Sequence, residues 1–372
     1  MTGPGGFPTF EAERRLEAAR AAGVEPVPLH GTPSPPLPAH VAGAVAALLG
    51  GPMKPPPPRG LVALREAYAD ELARTTGRRP DPGTEMLVTN GAMHALGICM
   101  RSLVGPGDRV IVPAPTFFFE GPIRSAGAEP VYVLGSPDDG WRWHAEAVER
   151  AITPRTRALV LCNPENPTGH VPTRREVEAV LAVASAHGLV VVTDEAYEAA
   201  LWDDAPLASA YGLDEGVVVI RSLGKSLALA QLRIGIVSGR AETVDACART
   251  LEWDCLRVNL AAQEAALAVL GGPRDWLDAV HRGLLADRAV VLAAVAATPG
   301  LSAAVPAAAP FLFLHAATGD EVAATLAGVG LPVVDGVHFQ APGYARLPFG
   351  GAAALRADLE HALARWAALT AT

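Results

Sequence analysis

The segment "RSLGKSLALAQLRIG", residues 221–235, carries Lys225 and, eight positions on, Arg233 among residues that otherwise belong in a core. A buried ammonium is costly unless a partner neutralises it or chemistry removes its charge. A desolvated lysine amine is also a nucleophile toward carbonyls, and an arginine is a planar fork for phosphate or carboxylate. Other reactive residue types cluster upstream. "TDEAY" sets Asp194 and Tyr197 at the end of an apolar run; a carboxylate there is either a helix cap or the partner of a cation in a pocket. "NPENPTG" enforces an irregular loop with the amides of Asn163 and Asn166 free to donate. Gly91, Ala92 and Met93 open a helix with small residues, where bare N–H groups can face an anion. Phe117 begins an aromatic triplet, which is core or a stacking surface.

Each of these signals alone has an ordinary reading as a turn, a cap or core packing. In this order they supply a phosphate cradle, an aromatic plate, an amide donor, a carboxylate with a tyrosine, a lysine and an arginine. That set fits a flat, phosphorylated, pyridine-type cofactor that takes a lysine as its Schiff-base partner.

The elements that must position these residues are legible as a rhythm. Seven short apolar runs recur: "EMLVTN" (85–90), "RVIVPA" (109–114), "EPVYVL" (129–134), "RALVLCN" (157–163), "LVVVTDE" (189–195), "GVVVIRS" (216–222) and "IGIVSG" (234–239). Most are unbroken, as strands buried on both faces are. Helical patterns separate several of them, among them residues 174–188, where Gly188 is placed to end the helix. Strand alternating with helix predicts an α/β domain around a mainly parallel seven-stranded sheet, with ligands at the carboxyl ends of its strands. Long helical stretches follow from about residue 260, then the strand-like "PFLFLHA" (310–316) and a last helix. These predict a smaller α+β domain. "GPMKPPPPRG" (51–60) is an extended polyproline piece. As a continuous helix, residues 221–235 would set Lys225 and Arg233 about 12 Å apart along the axis.

The motifs "NPENPTG", "TDEAY" and "SLGK" with Arg233, taken together, resemble the aspartate aminotransferase family, the fold type I enzymes dependent on pyridoxal 5′-phosphate. The resemblance runs from "LHGTP" (29–33) to "YARLPF" (344–349). It implies that Lys225 forms the internal aldimine and shuttles the proton between the substrate Cα and the cofactor C4′. It implies that Asp194 pairs with the pyridine nitrogen, that Asn166 and Tyr197 bond the 3′ oxygen, and that Phe117 stacks on the ring. Gly91, Ala92, Met93, Ser222 and Arg233 fall at the phosphate positions, and Arg346 at the position that grips the substrate α-carboxylate. Gly31 and Asn166 would also border the substrate. The Asn166–Pro167 bond matches one that is often cis in the family. The implied divisions are residues 1–45 as an arm and part of the small domain, 46–272 as the large domain and 273–372 as the C-terminal small domain. A homodimer is implied, as is ping-pong transfer of an amino group between an amino acid and a 2-oxo acid.

Two positions depart from the family pattern. Pro55 stands where a tyrosine usually reaches the partner subunit's phosphate, with Lys54 beside it as a substitute. Gln231 replaces a usual glycine. Arg257 and Asn259 fall in the segment that the resemblance implies would reach the substrate side chain from the partner subunit, although a plain surface arginine is the simpler reading of Arg257. Glu120, Asp203 and Asp204 are acidic residues near the implied site and read as solvated loop charges. The motifs also serve lyase, cyclase and oxidase chemistry in family relatives, and a non-catalytic ligand-binding role is a further alternative.

Bulk properties narrow the partners to small molecules. The net charge of −9 and the absence of a basic cluster speak against nucleic acid and anionic membrane. No signal peptide or membrane-spanning run is readable, so a cytoplasmic location is expected. The four cysteines, Cys99, Cys162, Cys247 and Cys255, lack metal-ligand spacing and read as buried free thiols. No histidine pairs with them or with a carboxylate at ligand spacing, so no metal is expected.

Overall fold

The computed structural model describes residues 6–316 and 319–371. All seven apolar runs are strands: β1 (Met86–Thr89), β2 (Arg109–Ala114), β3 (Glu129–Leu134), β4 (Thr156–Cys162), β5 (Val190–Asp194), β6 (Val217–Arg221) and β7 (Gly235–Ser238). They form one sheet in the order β1-β7-β6-β5-β4-β2-β3. Only β7 runs against its neighbours, β1 and β6; the other pairings are parallel. The middle strands are mostly apolar because helices cover both faces. One face packs with the main core, which includes Leu96, Val160 and Val219; the other packs with Leu161, Val177 and Val180.

Helix Arg174–Ala186 starts on a capping box, with Thr173 and Glu176 each bonding the other's backbone N–H. It ends at His187, and Gly188 follows with φ +64°. Four helices lie before or just after the first strand: α1 (Pro8–Ala21), α2 (Ala39–Leu49), α3 (Val62–Thr76) and α4 (Ala92–Leu103). The polyproline piece between α2 and α3 contains neither helix nor strand.

A second, antiparallel sheet holds β8 (Leu301–Ala303), β9 (Phe311–Ala316), β10 (Val334–Asp335) and β11 (Tyr344–Pro348), in the order β10-β11-β9-β8. Its core, including Leu312, Leu347 and Trp366, is separate from that of the large sheet. The N-terminal segment belongs to both units. Helix α1 packs on helix Val322–Gly328 and on β10, whereas α2 packs on helix Leu260–Gly271. His30 bridges to Gly350 between them.

Candidate active site

Strand register gathers the reactive residues. Cys162 of β4 pairs with Asp194 of β5, and Asp194 pairs with Ile220 of β6. Three parallel neighbours end level, so residues 163–166, 194–197 and 222–225 leave the sheet at one edge, the carboxyl edge where open α/β sheets bind ligands. Thr89 at the end of β1 lies opposite Gly235, the first residue of β7. Gly91 and Arg233 therefore reach the same edge from opposite chain directions.

Gly91 caps α4 with φ +83°. A Cβ on Gly91 would stand 2.9 Å from Arg233 Nη2, and one on Gly235 would stand 2.9 Å from the Ala92 nitrogen. No side chain can come between the first N–H groups of α4 and the guanidinium, and the pair makes an anion cradle. The side chain of Met93 is half-buried against the main core. Ser222 is buried and accepts the Lys225 N–H on its carbonyl at 2.8 Å.

The 221–235 segment is not a continuous helix. A helix covers only Leu223–Ser226, a 3-10 turn follows at Ala230–Leu232, and Ala228 and Arg233 have φ of +51° and +53°. The Gly224 N–H donates to the Ile234 carbonyl at 3.0 Å, folding the segment into a loop. That loop, rather than helical rise, sets Lys225 and Arg233. Gln231 is exposed on its outer side.

Asp194 is buried, with the Ala196 N–H donating to Oδ1 at 3.0 Å. Burial pushes its carboxyl pKa up, while Lys225 and the Ala196 N–H pull the other way. Lys225 Nζ lies 3.8 Å from the Tyr197 ring centre and 5.9 Å from that of Phe117. Beyond them sits Arg346, which has no carboxylate partner among the described residues. Its Nη1 donates to Asn166 Oδ1 at 2.9 Å, and its guanidinium carbon lies 4.3 Å from the centre of the Phe311 ring. Its Nε and the Asn166 Nδ2 are buried without hydrogen-bond partners among the described residues. Burial lowers the Arg346 pKa to about 10, with Tyr197 opposing the shift. Gly31 adjoins this group: a Cβ there would fall 2.6 Å from Phe311 Cε1.

Several neighbouring residues take other roles than the sequence predicts. The Asn163 amide is not free, because Nδ2 donates to the Ala208 carbonyl at 2.8 Å. Among the described residues the cis peptide bonds are Ala114–Pro115 and Asn163–Pro164, not Asn166–Pro167. Asn259 caps helix Leu260–Gly271 by accepting from Ala261 N, and Arg257 donates to the Pro56 carbonyl at 2.8 Å. Lys54 and Pro55 are exposed. Glu120 is no loop charge: it opens the helix Glu120–Ser125 and pairs with Arg124 one turn on, whereas the exposed Asp203 pairs with Arg288. Cys255 is only half-buried, whereas the other three free thiols are buried.

The sequence reading passed over a buried network next to the site. Arg221 donates to Glu195 Oε2 through Nη2 at 2.6 Å and Nε at 3.0 Å, and Glu195 also accepts from Ser209 and the Ala210 N–H. Burial alone would depress the Arg221 pKa, but Glu195 and Glu198 raise it overall. Glu198 lies 3.9 Å from Arg221, and burial pushes its carboxyl up to about 7. A cavity of about 390 Å³ is lined by Lys225, Tyr197, Gly31, Glu198, Arg221 and Tyr68, among others. It extends away from the anion cradle, since neither Gly91 nor Arg233 lines it.

A family model described as "Aminotransferase class I and II" matches residues 29–365. The aspartate aminotransferase of Geobacillus stearothermophilus is 31% identical over 358 residues, covering 92% of this chain and 91% of that one. The aspartate/prephenate aminotransferase of Thermus thermophilus is 33% identical, covering 94% and 92%. The structure of the Thermus thermophilus aspartate aminotransferase with maleate superposes with a TM-score of 0.90 at 30% identity, covering 99% of this chain and 100% of that one.

Proposed function

The chain belongs to the class I and II aminotransferase family, and on that premise we propose how its own residues carry out an amino transfer dependent on pyridoxal 5′-phosphate. The residues fit this cofactor. The cradle of Gly91, Ala92 and Arg233 suits a phosphate. Asp194 is a buried carboxylate without an ion pair among the described residues and suits a protonated ring nitrogen. Asn166 Nδ2 is a buried donor in want of an acceptor. When bound, the cofactor supplies an electron sink for the bonds at the substrate Cα.

Asp194 would hold the ring nitrogen in its protonated form, Phe117 would lie against the ring, and Asn166 and Tyr197 would donate to its 3′ oxygen. Gly91, Ala92, Met93, Ser222 and Arg233 would hold the phosphate. Lys225 would anchor the cofactor and act as the base that takes the proton from the substrate Cα. Arg346 grips the α-carboxylate with both arms, and Gly31 leaves room for Phe311 beneath that arginine. An amino acid leaves as its 2-oxo acid before a second oxo acid enters, which is ping-pong order.

The single observation that carries this reading is Arg346. It is a buried cation without an acid partner among the described residues, oriented by the same Asn166 whose other amide atom is buried without a partner. The test is a half-reaction: one amino acid, no acceptor. Stoichiometric conversion of the cofactor spectrum to the pyridoxamine form, with one equivalent of 2-oxo acid, is expected. Continuous release of ammonia without an acceptor would instead place the chain among the lyases of this fold.

Two copies pairing as a homodimer is part of the same reading. It is supported by apolar side chains left in solvent, among them Trp253 at 93%, Leu256 at 74% and Met53 at 59% exposure. No helix among the described residues is long and apolar enough to cross a membrane. The proposed divisions remain 1–45, 46–272 and 273–372, with residues 1–5 outside the described chain. The first boundary is better placed before α2, which packs on the large unit.

A further inference from the structure

We propose that this site takes a monocarboxylic substrate with an apolar, ring-sized side chain, received by a wall built from Phe7, Phe117 and Phe118. The inference rests on the reading of Arg346 as the holder of the α-carboxylate.

The surroundings of Arg346 are aromatic on several sides. Its guanidinium carbon lies 4.3 Å from the ring centre of Phe311, 5.0 Å from that of Phe339 and 5.5 Å from that of Phe118. Phe118 in turn is 4.9 Å from Phe339 and meets Phe7 edge-on at 5.1 Å. Phe7, Ala12, Phe118, Phe339 and Ala341 belong to one apolar cluster, distinct from the cores of the two sheets. The rings of Phe7, Phe118 and Phe339 come from the residue before α1, from the segment after β2 and from the turn before β11, three separate stretches of chain.

The Phe117–Phe118 pair touches both ends of the proposed substrate position. The Phe117 ring is beside Lys225 and the Phe118 ring beside Arg346. With the substrate amine drawn to the Lys225 end and the carboxylate to Arg346, the remaining substituent on Cα lies along this pair and meets Phe7.

The charges bordering the cluster are already matched. Arg15 pairs with Glu11 at 2.5 Å and Asp335 at 3.2 Å, and His338 meets Glu11 at 2.9 Å. Arg346 itself is occupied by the first carboxylate. A second carboxylate on the substrate would therefore be desolvated against phenyl rings with no described cation left for it, which is costly. An apolar side chain would instead bury its surface against the same rings.

Calorimetric titration of the cofactor-loaded protein with 3-phenylpropanoate, propanoate and succinate tests this without turnover. We expect 3-phenylpropanoate to bind about tenfold tighter than either of the others. Phe7→Ala, and separately Phe7→Leu with its lesser loss of bulk, should reduce the preference for 3-phenylpropanoate over propanoate, about fivefold in the alanine variant. Succinate binding as tightly as 3-phenylpropanoate in the unmodified protein overturns the proposal, as does a preference that Phe7→Ala leaves intact in a folded protein. If the half-reaction proceeds while succinate wins, only this inference fails. If no carboxylate binds and no half-reaction occurs, the assignment of Arg346 fails with it.

Discussion

Arg221 and Arg346 are both buried arginines, and they are opposites. Arg221 is held by Glu195 through two hydrogen bonds, and Glu195 by Ser209 and a backbone N–H. Its environment favours the charged form. Arg346 has rings and one amide oxygen, and burial lowers its pKa. A charge compensated from within holds the fold together. A charge left uncompensated inside a fold is a cost that persists when a ligand repays it.

The largest effect is expected on the compensated side. Glu195→Ala takes both hydrogen-bonded contacts from buried Arg221, leaving only Glu198 at 3.9 Å, and should lower the stability by about 3–5 kcal/mol in urea unfolding; a loss under 1 kcal/mol would mean that Glu198 takes over as its partner. Arg346→Met should do the reverse. It removes a desolvated charge, so stability should hold or rise, while carboxylate affinity falls by about 2–4 kcal/mol. Calorimetry and thermal melts separate the two readouts, and a protein destabilised like Glu195→Ala would erase the contrast. In the unmodified protein a bound carboxylate should raise Tm, and in Arg346→Met it should not.

Glu198 gives an intermediate case. Its carboxyl is raised from an ordinary 4.5 to about 7 by burial, against the field of Arg221. Between those values the unfolded chain is ionised at this group and the folded chain is protonated. Folding then takes up a proton, and this group's contribution to stability falls as pH rises through that window. Glu198→Gln should remove this part of the slope and stabilise the protein at pH 8 by about 1–2 kcal/mol. An unchanged pH profile would mean that the carboxyl ionises freely in the folded state. The smallest effect is expected at Gln231, which is exposed on the outer side of its loop. Gln231→Ala should change stability by less than about 0.5 kcal/mol and leave turnover unaltered; a loss of turnover would give this residue a place in the site.

The large sheet was legible because strands buried on both faces leave unbroken apolar runs, and most of the candidate site because its residues follow directly on those runs; Gly31 and Arg346, which do not, came only from the family resemblance. The Arg221–Glu195 pair was harder to see, since it needs the spatial order of β5 and β6. A signal did exist: neighbouring strand-end residues point to opposite faces. Asp194 and Glu195, like Ser222 and Arg221, therefore divide between the site and the layer beneath it. The helical reading of residues 221–235 failed for another reason. Alanine and leucine look helical in any context, and the loop is closed by the Gly224–Ile234 hydrogen bond, a contact between residues ten apart. The freed amide of Asn163 failed similarly, because its partner Ala208 is remote in sequence.

The central claim is that Lys225 is the residue joined to the cofactor. The chain has two lysines, Lys225 and Lys54, which makes the measurement sharp. Borohydride reduction of the pyridoxal phosphate-loaded protein, followed by peptide mass mapping, should find one phosphopyridoxyl group, on Lys225, with Lys54 unmarked; Lys225→Ala should carry none and should not turn over. A mark on Lys54 instead, or amino transfer by Lys225→Ala, would contradict the account.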